Sequence, residues 1–150
     1  MNAFRTLLVT TDLSEVSQSA FPLATAIAEK FGAKLVVVYV QEDVMPPFVG
    51  EYAQTSIQSI LDDQRIHLVE ELRRFAEKQI GAGIETETVV TAGMPHAEIC
   101  RIARERSADL IVMATHGRGF LGHALFGSTA ERVVRRAPCP VLTVHGHGVE

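Results

Sequence analysis

The stretch Asp109-Leu110-Ile111-Val112-Met113 runs directly into Ala114-Thr115-His116-Gly117-Arg118-Gly119-Phe120-Leu121-Gly122-His123-Ala124-Leu125-Phe126-Gly127-Ser128, and then into Thr129-Ala130-Glu131. The apolar run reads as a buried strand, and Ser128-Thr129-Ala130-Glu131 as the start of a helix. A glycine-bearing loop between a strand end and a helix N-terminus offers free backbone N–H groups and the positive end of a helix dipole. That is a ready anion site, and phosphate is the usual anion.

The same alternation extends outward in both directions. Phe4 to Val9 is a short apolar strand. Ser14 to Phe31 carries Val16, Ala20, Leu23, Ala24, Ile27, Ala28 and Phe31 at helical spacing, with Gly32 as a stop. Pro22 inside that span points to a kink or a late helix start. Lys34 to Val40 is a second, strongly apolar strand, and residues 41–52, with Pro46, Pro47 and Gly50, form a long loop. A long helix follows from Ala53 to Ile80, with Ile57, Ile60, Leu61, Leu68, Leu72, Phe75 and Ile80 on one face. Ile84 to Val90 alternates like a strand near an edge. Pro95 to Arg106 is a helix opened by proline, Gly127 to Arg136 another, and Pro140 to Val144 a fifth strand. This β-α order predicts an open, mostly parallel sheet with helices on both faces. Ligands of such folds lie beyond the C-terminal strand ends, where strand order reverses. The loops after strands one, two and four, at Thr10-Thr11-Asp12, Val40 and Ala114, are therefore the candidate site.

Composition narrows the function classes. The 150 residues suit a single domain, with 145–150 as a frayed tail. A net charge of −4 disfavours nucleic acid and anionic membranes as partners. No apolar run approaches a membrane span. Met1-Asn2-Ala3-Phe4-Arg5 leads straight into a strand without a signal-peptide layout. Cys100 and Cys139 form no C-x-x-C, so a reducing cytoplasm is the expected location.

Each motif carries competing readings. Gly117-Arg118-Gly119-Phe120-Leu121-Gly122 matches G-x-G-x-x-G, but it follows the fourth strand, not the first. Residues 133–145 also lack the acidic partner a dinucleotide site needs, so NAD is disfavoured. Ser128-Thr129-Ala130-Glu131 is an S-x-x-E capping box, which would stabilise the last helix without any ligand. Asp12 is either a turn residue ahead of Ser14 as N-cap or a carboxylate at the switch point, facing ribose hydroxyls or a metal. His116 reads as a solvated loop residue, and His145-x-His147 is a poor metal pair. Cys139 reads as a small buried hydrophobe. Arg132, Arg135 and Arg136 with Glu131 read as a solvated helix face, and Glu70, Glu71, Arg73, Arg74, Glu77 and Lys78 as exposed helical ion pairs. No hydrolase elbow, zinc motif or nucleophile–base pair is present, so no catalytic residue and no metal ligand is assigned.

Over essentially its whole length the chain resembles the universal stress protein family. The carrier is G-x-x-G, nine residues, then G-[ST]: Ala114-Thr115-His116-Gly117, Arg118 to Phe126, then Gly127-Ser128. Thr10-Thr11-Asp12-Leu13-Ser14 and Ala137-Pro138-Cys139-Pro140-Val141-Leu142-Thr143-Val144 are also similar to the family. The resemblance implies a five-stranded parallel sheet ordered 3-2-1-4-5. It also implies a homodimer through the last strand, covering Val141, Leu142, Thr143 and Val144. An adenine nucleotide such as ATP would sit with its base near Val40 and Met113. Its ribose would meet Asp12 and Thr10, and its phosphates Gly117, Arg118, Gly127, Ser128 and Thr129, with Mg2+ bridging them. Ala114 departs from the motif glycine, and its methyl is harmful only if the backbone there is left-handed. The expected function is an ATP-binding, dimeric stress-response regulator with an unknown protein partner. The alternative is a dimeric interaction module that binds no nucleotide, motivated by Ala114 and the capping box. A third reading allows slow ATP hydrolysis.

Overall fold

The computed structural model describes residues 4–42, 50–116 and 126–146. Pro46, Pro47, Gly117, Arg118, the G-x-G-x-x-G segment and the end of the tail lie outside the described residues. The strands are β1 (Thr6–Thr10), β2 (Lys34–Gln41), β3 (Thr86–Ala92), β4 (Leu110–Ala114) and β5 (Val141–Val144). The helices are α1 (Glu15–Gln18), α2 (Phe21–Phe31), α3 (Glu51–Ile80), α4 (Pro95–Glu105) and α5 (Ser128–Arg136). The sheet runs β3-β2-β1-β4-β5 with every neighbouring pair parallel, the order the resemblance implies.

The period-two geometry of strands divides the core into two layers. Leu7, Val9, Leu35, Val37, Leu110 and Val112 point to one face and pack with Phe21, Ala24 and Ala28 of α2 and Leu72 and Ala76 of α3. Leu8, Val36, Val38, Ile111 and Met113 point to the other and pack with Ile99, Ile102 and Ala103 of α4 and Ala130 and Val133 of α5. Helices thus cover both faces, which is why the central strands read as unbroken apolar runs.

The span Ser14–Phe31 is two helices rather than one. Ser14 caps α1, accepting from Ser17 N, and α2 begins at Phe21 with Pro22 in its first turn, where a missing N–H costs nothing. Ile60 does not join the core: it is 57% exposed, because the α3 residues that pack against the buried layer, Leu72, Phe75, Ala76 and Ile80, lie in its C-terminal half.

The β3 edge is covered by charge. Glu87 Oε1 accepts from Arg106 Nη2 at 2.8 Å, and Lys34 Nζ lies 3.0 Å from Glu87 Oε2. The Arg106 guanidinium, then the Lys34 ammonium, hold the Glu87 carboxyl below its ordinary value of 4.5. A depressed folded-state pKa gives stability that is present above the unfolded value and is lost as pH falls through the folded one. Glu87→Gln should therefore cost about 0.5–1 kcal/mol at pH 7, and less at an acidic pH below the ordinary carboxyl value of 4.5. Urea midpoints of both chains at the two pH values check this, and equal midpoints at pH 7 would contradict it.

Candidate functional site

A cavity of about 1000 Å³ opens beyond the C-terminal ends of β1, β2 and β4. The order β3-β2-β1-β4-β5 reverses at β1, so this is the switch point of the sheet. Thr10, Thr11 and Asp12 line it from β1, residues 38–42 from β2, and residues 113–116 from β4. Phe126, Gly127, Ser128, Thr129 and Ala130 close the α5 side.

The loop after β1 is a tight hydrogen-bonded turn. Leu13 N donates to Thr11 Oγ1 at 2.9 Å, and Thr11 Oγ1 lies 2.7 Å from Ser17 Oγ. Asp12 Oδ1 accepts from Ser14 N at 3.0 Å and also from the Ser14 hydroxyl. Asp12 is thus the turn residue before the Ser14 cap and at the same time part of the cavity wall. Leu13 takes φ 66°, a left-handed conformation that costs a branched residue about 1 kcal/mol.

Strand β2 outruns β1. Thr11 N donates to Val38 O at 3.1 Å, the last backbone bond between the two. Gln41 O accepts from Gly93 N, toward β3. Alternation therefore turns the Val40 N–H and C=O to the β1 side, beyond the point where β1 has turned away. A donor and an acceptor side by side on one strand edge suit a planar heterocycle.

Strand β4 and helix α5 are joined at close quarters. Gly127 N donates to Thr115 O at 2.6 Å, and a Cβ on Gly127 would stand 3.2 Å from that same carbonyl oxygen. Ala114 lies within β4, buried, and among described non-glycine residues only Leu13 and Ser107 have positive φ. The Ala114 methyl therefore carries no backbone strain.

The capping box does not form. Gly127 is the N-cap (φ −69°, ψ 161°) and no side chain among the described residues caps the helix. Ser128 is one residue too late: it is already helical, so its hydroxyl cannot reach back over the first turn. Glu131 bonds Arg135 at 3.0 Å instead of the cap. Among the described residues no side chain accepts from the first N–H groups of α5, which lie at the cavity wall and suit an anionic acceptor.

Of the residues singled out from sequence, Thr10, Asp12, Val40, Met113, Ala114, Gly127, Ser128 and Thr129 all line the cavity. Gly117 and Arg118 lie outside the described residues. His116 also lines it, with Nδ1 3.0 Å from Thr115 Oγ1. Sequence reasoning missed one wall entirely. Gln64, His67, Leu68 and Glu71 of α3 and Pro95 and Ile99 of α4 face the same space. The spacing of 64, 67, 68 and 71 is one helical stripe, but nothing local says which space a helix flank will meet. Gln41, buried, ties this wall to the sheet through Nε2 to Leu61 O at 3.3 Å and Oε1 from Arg65 Nε at 3.3 Å.

A sequence profile of the universal stress protein family matches residues 3–145. The chain belongs to that family. A universal stress protein of Methanocaldococcus jannaschii is 36% identical over 146 residues, covering 95% of this chain and 83% of that protein. Among solved universal stress proteins, UspA of Lactobacillus plantarum superposes with TM-score 0.82 at 26% identity, over 96% of this chain and 99% of the other. A universal stress protein solved in complex with cAMP superposes with TM-score 0.63 at 25% identity, over 97% of this chain and all of the other. Burial pushes the Cys100 and Cys139 thiols up, away from the thiolate form. No described helix is long and apolar enough to cross a membrane.

Proposed function

We propose that the cavity holds an adenine nucleotide, ATP foremost, and that this universal stress protein works as a nucleotide-dependent regulator. The observation that carries the reading is the uncapped N-terminus of α5, which with Gly127, Ser128 and Thr129 lines the cavity at the switch point. The Val40 backbone edge would pair with adenine, against Met113. Thr10 and Asp12 would meet the ribose, and the α5 N-terminus the phosphates, joined by Gly117 and Arg118. The cAMP complex of a structural neighbour supports adenine as the base. Mg2+ would ride on the phosphates with few protein ligands, its usual habit.

The homodimer belongs to the same proposal. Strand β5 pairs with β4 on one side, and Val141, Leu142, Thr143 and Val144 are half-buried at that edge of the sheet. An apolar edge strand is a liability until a second strand covers it.

Calorimetric titration of ATP with Mg2+ should give saturable binding. At one hundred times Kd the fold should gain about 2.7 kcal/mol, visible as a raised Tm. No heat and no thermal shift at millimolar ATP would overturn the reading and favour the interaction module.

A further inference from the structure

Arginine is matched to carboxylate over much of this surface. Arg73 and Arg74 meet Glu70, Arg101 meets Glu98 and Glu105, Arg106 meets Glu87, and Arg135 meets Glu131. The guanidinium groups of five arginines meet no carboxylate among the described residues: Arg5, Arg65, whose Nε donates to Gln41, and Arg104, Arg132 and Arg136. The last three belong to the seam between α4 and α5. On α4, His96, Cys100 and Arg104 recur every four residues, and on α5 Arg132 and Arg136 do the same, so each set is a stripe. The stripes meet where Arg136 Nη1 lies 3.2 Å from His96 Nε2.

That meeting is chemically unusual. A guanidinium can only donate, so His96 Nε2 accepts and the ring there is neutral. His96 is 5% exposed. Arg136 thus spends a fork suited to an oxyanion on a buried neutral ring, and its charge is left uncompensated. The head of the seam adjoins the cavity, since Ile99 of α4 and Thr129 of α5 line it.

We propose that the α4–α5 seam is a second anion site, binding a phosphate-type oxyanion through Arg132 and Arg136 beside His96. Burial first, and then the Arg136 and Arg132 cations, hold the His96 ring below the ordinary histidine range. On its own helix Cys100 stays neutral and Glu98 is engaged by Arg101. From the strands beneath, Glu87 and Lys34 engage each other and Arg106, beyond the far end of α4. An anion in the seam offsets the guanidinium charges and raises the His96 pKa. Binding therefore takes up a proton and tightens as pH falls.

The test is an NMR titration of the histidine ring protons with added pyrophosphate, against sodium chloride at equal ionic strength. The His96 midpoint should rise by about half a unit or more, equivalent to about threefold tighter binding to the protonated ring. Arg132→Gln, an exposed change that leaves the fold intact, should weaken pyrophosphate by about tenfold. An unmoved His96 midpoint overturns the proposal, even if His116 in the cavity responds. So does an equal shift in the chain carrying both Arg132→Gln and Arg136→Gln. A response only above roughly 10 mM pyrophosphate, weaker than about 3 kcal/mol, marks an adventitious ion only and also overturns it.

Discussion

Gly127→Leu should abolish nucleotide binding, lowering affinity by about a hundredfold or more, near 2.7 kcal/mol. The reason is space rather than backbone angle. Gly127 has φ −69°, which any residue adopts, but its Cβ position lies 3.2 Å from the Thr115 carbonyl oxygen and 3.7 Å from His116 Cα. That carbonyl is fixed twice over: it accepts from Gly127 N, and its own residue's N–H donates to Val144 O at 2.9 Å. Backbone pinned on both sides does not move aside for a side chain. A leucine there must push the start of α5 away from β4 and carry Ser128 and Thr129 with it. Gly127→Ala, at a distance tighter than ordinary but not impossible, should fall between. Calorimetry with ATP and thermal melts of both variants make the measurement. Full affinity in Gly127→Leu would mean that the phosphates lie elsewhere.

Phe21→Ala should destabilise the fold by about 3–5 kcal/mol. Phe21 is fully buried at the start of α2 and meets Phe75 of α3 edge to face, with ring centres 5.2 Å apart. It is thus a fastening between α2 and α3 as well as a core side chain. The domain's whole stability is of order 5–15 kcal/mol, so this one change removes a large part of it. The cavity left behind is apolar and stays dry, which is why truncation is not offset by solvent. Urea unfolding should show a lower midpoint with unchanged slope, and a loss under 1 kcal/mol would count against the packing described.

The fold was legible because its signals are local and repeated. Val36, Val37 and Val38 say buried strand without knowing their neighbours, and Gly32 says helix end. Strand order is different: no local pattern ranks β1 between β2 and β4, and the family resemblance carried that part. Misreadings came where two local rules competed. Ser128-x-x-Glu131 obeys the capping-box pattern, yet Gly127 takes the cap, because the hydrogen bond to Thr115 O fixes where the helix begins. Ile60 keeps the helical period of a core residue, but the period does not say how much of a 30-residue helix the sheet can cover. The α3 wall of the cavity is invisible for the same reason. Gln64, His67 and Glu71 are ordinary surface residues in sequence and become a wall only because of where the helix lies.

The left-handed turn at Leu13 has a consequence for timing. Its φ of 66° and the bonds around Thr11, Asp12 and Ser14 are closed among the corner's own residues. The entropy of ordering that corner is therefore lost once, during folding, and not again at each binding event. A rigid corner lowers the cost of capture, and it also cannot reshape itself around a poor fit. For the nucleotide proposed here, selectivity at the Asp12 end would come from rejecting the wrong shape, and any adaptation from the other walls.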